Sequence, residues 1–146
     1  MEKNNTQKML WEYNTIFKEN DEVYRCAAKT LGISDCSLWI LYTLRTEQKA
    51  ITQKEICEAF YYPKQTVNSA LKKLENEGYI ALTEMKDRRS KKITLTESGK
   101  KLAARTADKL IEAELAAMSE LTDEEQKRFI ELFRKYTGLL KKNMPH

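Results

Sequence analysis

Between residues 52 and 96 the hydrophobic period changes repeatedly, and each change falls on a residue that leaves the backbone few options. Thr52-Gln53-Lys54-Glu55 has the form of a capping box, in which a hydroxyl and a carboxylate satisfy each other's backbone N–H groups at a helix start. The short helix it opens, TQKEICEAF, is followed by Tyr61, Tyr62 and Pro63, and a first helical turn tolerates the N–H that proline lacks. From there KQTVNSALKKLENE reads as a second helix closed by Gly78, a residue suited to the left-handed conformation after a last turn. Beyond Gly78 the pattern alternates. Ile80 and Leu82 fall on one side and Ala81 and Thr83 on the other, and Ile93 and Leu95 resume the alternation after a charged loop spanning 85–92. Two short helices in close succession, then a strand, a projecting loop and a second strand, restrict the segment to a helix-turn-helix carrying a β-wing.

Charge is concentrated in the same segment. Residues 52–96 carry nine basic against six acidic side chains, whereas residues 1–51 carry seven of each, within a net charge of +4. A surplus gathered in one small folded segment suggests a surface that faces a polyanion. On the second helix Val67, Ala70, Leu71 and Leu74 form the inner stripe, leaving Lys64, Gln65, Thr66, Asn68, Ser69 and Lys72 outside or at the edges. A helix of this kind fits the major groove of B-DNA, where Gln and Asn pair with adenine, Lys reaches guanine and Thr touches the thymine methyl. The first turns are the ones that reach base edges in this motif. At the wing, Arg88 and Arg89 suit a narrow minor groove. Lys86, Lys91 and Lys92 suit phosphates, and Ser90 belongs to the same loop. Asp87 can accept hydrogen bonds from Arg89 or the loop backbone and so hold the guanidinium for docking.

The flanks are helical by periodicity. Met9, Leu10, Tyr13, Ile16, Phe17, Val23 and Tyr24 space a long amphipathic arm that ends near Leu31-Gly32. Ser34 then caps DCSLWILYTLRTE, apolar over most of its circumference and therefore expected to be central. After the wing, one long helix is expected from Thr96 to about Met118. A second capping box, Thr122 to Glu125, opens another, whose Phe129, Ile130, Phe133, Tyr136, Leu139 and Leu140 form a stripe. These arms call for a second subunit to cover them. The expected organisation is an N-terminal dimerisation helix over 1–33, the winged module over 34–98 and C-terminal dimerisation helices over 99–146.

With 41% hydrophobic and 33% charged residues, 4 Gly and 2 Pro, the composition is that of a helix-rich soluble chain. No apolar run approaches a membrane span and the first residues lack a secretory signal, so no membrane association and a cytoplasmic location are expected. Cys26, Cys36 and Cys57 form no metal-binding pair, and His146 is the single histidine, which argues against a metal site or another cofactor. An enzyme is disfavoured: there is no phosphate-cradling glycine loop and no internal histidine to serve as a general base, so no catalytic residue is assigned.

Residues 34–104 resemble the MarR family of bacterial winged helix-turn-helix transcriptional regulators, through "LWILYTL", "TQKEICEAF", "PKQTVNSALKKLENEGYI" and "DRRSKKITLTESGK". The resemblance implies a mainly α fold with a small β-wing. It also implies a homodimer whose terminal helices interlock, two winged modules on a pseudo-palindromic operator of double-stranded DNA, and, in the expected case, repression. The family's Asp-x-Arg pattern maps onto Asp87 and Arg89. Family members commonly take small aromatic effectors between the dimerisation helices and the DNA-binding module; Trp11, Tyr13, Phe17, Tyr24, Trp39 and Tyr42 are the residues available to line such a cleft. Two alternatives stay open: a thiol-based redox regulator of the same fold using Cys26 or Cys36, and a winged-helix protein-interaction module without DNA specificity.

Overall fold

Two helices end in the same way, and each ending redirects the chain into the next element of the winged module. The computed structural model describes residues 2–47, 51–59, 62–86 and 91–146. Helix α1 (Glu2–Leu31) closes at Gly32, φ 71°, with Gly32 N–H donating to the Lys29 carbonyl and Ile33 N–H to that of Ala28, both at 3.1 Å. Helix α4 (Lys64–Asn76) closes at Gly78, φ 82°, where Gly78 N–H bonds Glu75 O at 3.0 Å and Tyr79 N–H bonds Leu74 O at 2.9 Å. These are Schellman closures. They need a residue without a Cβ penalty at positive φ, and they satisfy carbonyls that the helix end leaves orphaned.

Two units, Met1–Leu110 and Ile111–His146, make up the chain. In the first, Ser34 Oγ accepts from Ser37 N–H at 3.3 Å to start α2 (Asp35–Thr46). Next come β1 (Ile51–Thr52), α3 (Gln53–Ala59), α4, β2 (Ile80–Glu84) and β3 (Lys91–Leu95). The Thr52 hydroxyl accepts from Glu55 N–H at 3.1 Å and donates to the Glu55 carboxylate at 3.2 Å, which is the hydroxyl half of the cap expected from the sequence. Pro63 stands one position earlier than expected. It is the N-cap of α4, and its carbonyl accepts from Thr66 N–H at 2.9 Å and Val67 N–H at 3.2 Å.

The three strands form an antiparallel sheet in the order β1-β3-β2. Ile80 opposes Leu95, Leu82 opposes Ile93, and Ile51 pairs with Ile93 from the other edge. Strand β1 was not anticipated, because two residues cannot display an alternation. The ladder also runs further than the apolar pattern: Lys92 opposes Thr83 and Lys91 opposes Glu84, so both lysines belong to β3 and not to the loop. Main-chain pairing needs no apolar side chain, and the hydrophobic pattern therefore underestimates strand length.

Helix α2 feeds two cores. Cys36 and Ile40 join Ile51, Ile56, Val67, Leu71, Leu74, Ile80 and Ile93. Leu38 and Leu41 join Ala28, Ala107 and Leu110. The expected long helix after the wing is two: α5 (Glu97–Arg105) and α6 (Ala107–Ser119), interrupted at Thr106 with φ −126° and ψ −86°. Thr106 N–H bonds Ala103 O at 3.2 Å, three residues back instead of four, and its buried hydroxyl donates to Leu102 O at 2.7 Å. No glycine or proline marks this interruption, which is why the periodic pattern runs through it. Arg45 reaches across to it, its guanidinium 3.1 and 3.0 Å from the two oxygens of Asp108.

In the second unit Thr122 caps α7 (Asp123–Asn143) through a complete capping box: Thr122 N–H donates to Glu125 Oε1 at 2.9 Å and Glu125 N–H to Thr122 Oγ1 at 3.1 Å. The Thr122 N–H, and after it the Thr122 hydroxyl, bond the Glu125 carboxylate and hold it below its ordinary range. No α7 residue is buried, and Phe129, Ile130, Phe133 and Leu139 are each 45–51% exposed.

Helix α5 approaches the residue before β2 closely. A Cβ at Gly99 would fall 1.8 Å from the Tyr79 carbonyl oxygen, which also accepts from Thr96 N–H at 3.1 Å. Gly99→Ala is expected to destabilise the fold by about 1–3 kcal/mol, as overpacking against backbone does. A thermal melt at matched protein concentration should show a Tm several degrees lower.

Candidate nucleic-acid interface

The interface begins with the way α4 is held. Val67, Leu71 and Leu74 are buried beneath it, so its opposite face has to look outward. On that face Lys64, Gln65, Asn68, Ser69 and Lys72, spaced alternately by one and three residues, line a shallow depression of about 440 Å³. The five offer ammonium, amide and hydroxyl groups, and none is a carboxylate. Five of the six helix residues singled out from the sequence are thereby brought together. Thr66 is exposed but lies off this stripe.

Asn68 is the exception in exposure. It is half-buried, and its Oδ1 accepts from Gln53 Nε2 at 3.2 Å and from Cys57 Sγ at 3.4 Å. Gln53 was not a sequence candidate. Its position after Thr52 marks a helix start and gives no sign of a partner fifteen residues ahead.

At the wing, Lys86 and Lys91 are exposed and Lys92 is half-buried. Lys91 is the first residue of β3, so the strand sets its direction. Asp87, Arg88, Arg89 and Ser90 lie outside the described residues.

The aromatic candidates separate into two groups. Tyr24 and Trp39 meet with ring centroids 5.3 Å apart, and Tyr42 packs edge-on against Trp39 at 5.0 Å. Tyr24 and Trp39 line a cleft of about 480 Å³ together with Asn20, Asp21, Arg25, Asp35 and Tyr62. Trp11, Tyr13 and Phe17 lie earlier on α1 and do not line it; Tyr13 and Phe17 pack on each other at 6.0 Å. The polar lining was missed because its members are surface residues of α1 and a first-turn aspartate, which read equally well as solvated positions. Burial, with Asp35 and Cys36 adding to it, pushes the Tyr62 hydroxyl above its ordinary range.

The cysteines are also apart in environment. Cys26 is exposed and donates to Glu22 Oε1 at 3.6 Å. Cys36 is buried, and desolvation, then the neighbouring Cys57 and Asp35, raise its thiol. Cys57 is raised by burial, an effect that Lys64 opposes. Among the described residues no group of His, Cys, Asp or Glu is placed to hold a metal ion, and no helix is long and apolar enough to cross a membrane.

Comparison with known proteins converges on this module. A sequence profile of the MarR family matches residues 31–90. Over 101 residues the chain is 32% identical to the HTH-type transcriptional regulator YwoH of Bacillus subtilis (strain 168), a match spanning 68% of this chain and 73% of the relative. NMB1585, a MarR family regulator from Neisseria meningitidis, is 28% identical with a TM-score of 0.77, over 92% of this chain and 94% of that one. The S. aureus MepR–DNA complex gives 26% identity and a TM-score of 0.67, over 89% and 96%. With the helix-turn-helix of α3 and α4 joined to the hairpin of β2 and β3, these likenesses establish that the chain belongs to the MarR family of transcriptional regulators, which are not enzymes.

Proposed function

We propose that the chain is a sequence-specific repressor that binds a pseudo-palindromic operator as a homodimer, with α4 in the major groove and the wing in the minor groove. The observation that carries this reading is the stripe of Lys64, Gln65, Asn68, Ser69 and Lys72, carboxylate-free and facing solvent from a helix whose other side is core. Such a face reads base edges and phosphates alike. Arg88 and Arg89 supply the minor-groove contact, Asp87 orients Arg89, and Lys86, Lys91 and Lys92 neutralise phosphates. A related regulator, MepR of S. aureus, has been solved bound to DNA. The dimer rests on exposed apolar side chains of two helices, Trp11, Ile16 and Phe17 on α1 and Phe129, Ile130 and Phe133 on α7. Apolar surface of that extent is favourable to cover and costly to leave in water.

The aromatic cleft beside Trp39 and Tyr24 is the place for a small effector, which acts only if it binds one dimer geometry better than another. A thiol sensor is the weaker reading for Cys36, because a buried thiol with a raised pKa offers little thiolate to an oxidant at neutral pH. A protein-docking module is disfavoured because the outer face of α4 is polar.

Arg89→Ala should weaken operator binding by about tenfold or more with the melting curve unchanged, measured by fluorescence anisotropy on a selected duplex. Affinity should also fall by about 10³-fold or more between 50 and 200 mM salt; a flat salt dependence would remove the wing from the interface. Alkylation followed by mass spectrometry at pH 7 should label Cys26 well before Cys36. Rapid peroxide oxidation of Cys36 in the folded protein would revive the thiol reading.

A further inference from the structure

The side-chain amide of Asn68 turns its oxygen toward α3. Its oxygen receives Gln53 Nε2–H at 3.2 Å and Cys57 Sγ–H at 3.4 Å. Gln53 and Cys57 stand four residues apart on α3, so they share one face of that helix and converge on the same atom. A carbonyl oxygen has two lone pairs, and two donors occupy both. Turning the amide over would set its NH₂ against the Cys57 thiol and would need the Gln53 amide to turn with it, so the oxygen-inward arrangement is the one in which both α3 groups donate. The oxygen is thereby held toward α3, and the nitrogen is the end left for the stripe that Asn68 shares with Lys64, Gln65, Ser69 and Lys72.

An unrestrained asparagine pairs with adenine through both ends, its oxygen accepting from N6 and its nitrogen donating to N7. That pairing is closed to Asn68 while α3 holds its oxygen. Guanine presents N7 and O6, two acceptors and no donor, on the same edge. Resting on the placement of α4 in the major groove, we propose that Gln53 and Cys57 are positioning residues that turn Asn68 into a donor-only reader, which selects guanine in place of adenine at one position of each half-site. Neither positioning residue need touch DNA for this.

Selection of bound sequences from random duplex DNA tests the assignment, using the full-length protein and four variants. Asn68→Ala locates the position, since it should flatten the preference there and nowhere else. Gln53→Met combined with Cys57→Ala removes both donors while keeping most of the volume, and should move that position from guanine to adenine by about tenfold in relative preference. Cys57→Ser alone, which keeps an O–H donor, should leave guanine preferred. If the double variant lacks a cooperative melt, Gln53→Met alone carries the comparison and should show a partial shift. The proposal is overturned if Asn68→Ala changes no position, if the wild-type protein selects adenine there, or if removing the donors leaves guanine in place. A wild-type protein that selects no motif at all would remove the groove assignment itself, an outcome separate from these.

Discussion

Ile40 points away from Leu38 and Leu41 on one helix, yet each is at most 1% exposed. A helix buried along a single stripe needs only an amphipathic pattern, whereas α2 is covered on two sides and has to be apolar around most of its circumference. One side packs the helix-turn-helix and the sheet, the other packs the end of α1 and the start of α6. Displacing α2 would therefore disturb both clusters, and neither is large enough to be indifferent. Close packing transmits such a displacement instead of absorbing it.

The outward face of α4 follows from that arrangement. Val67 and Leu71 bury α4 against a core shared with α2, which fixes the helix's rotation about its axis and with it the outward direction of Lys64, Gln65, Ser69 and Lys72. Gly78 then turns the chain directly into β2, so α4 and the hairpin of β2 and β3 are joined through a closure with little freedom. Asn68 sits where this polar face meets α3, and its oxygen is bonded to Gln53 and Cys57 of that helix. The cleft beside Trp39 belongs to the same connected arrangement, since Trp39 and Asp35 lie on the helix that both clusters share.

The punctuation of the helix-turn-helix was legible because each signal is local and has a single physical meaning. Gly32 and Gly78 occupy positive φ, Ser34, Thr52 and Thr122 cap helices with their hydroxyls, and alternation marks β2 and β3. What escaped notice has no local signature. Strand β1 is two residues long and exists because the edge of β3 offers it partners. The interruption at Thr106 occurs in a run with good helical periodicity, and Lys91 and Lys92 enter the ladder through backbone groups that every residue possesses.

Sequence alone determined the class of the module, the helix stripe that faces outward and the basic character of the wing, because period, capping and charge are properties of consecutive residues. Tertiary structure decided which distant residues share a site. It gathered Tyr24, Trp39, Tyr62 and Asp35 into one cleft, kept Trp11 and Phe17 out of it, and set Gln53 and Cys57 against Asn68. The reason is that hydrogen-bond partnership and cavity shape depend on how faces of different helices meet. Those meetings are fixed by packing over the whole core and not by the spacing of residues along any one segment.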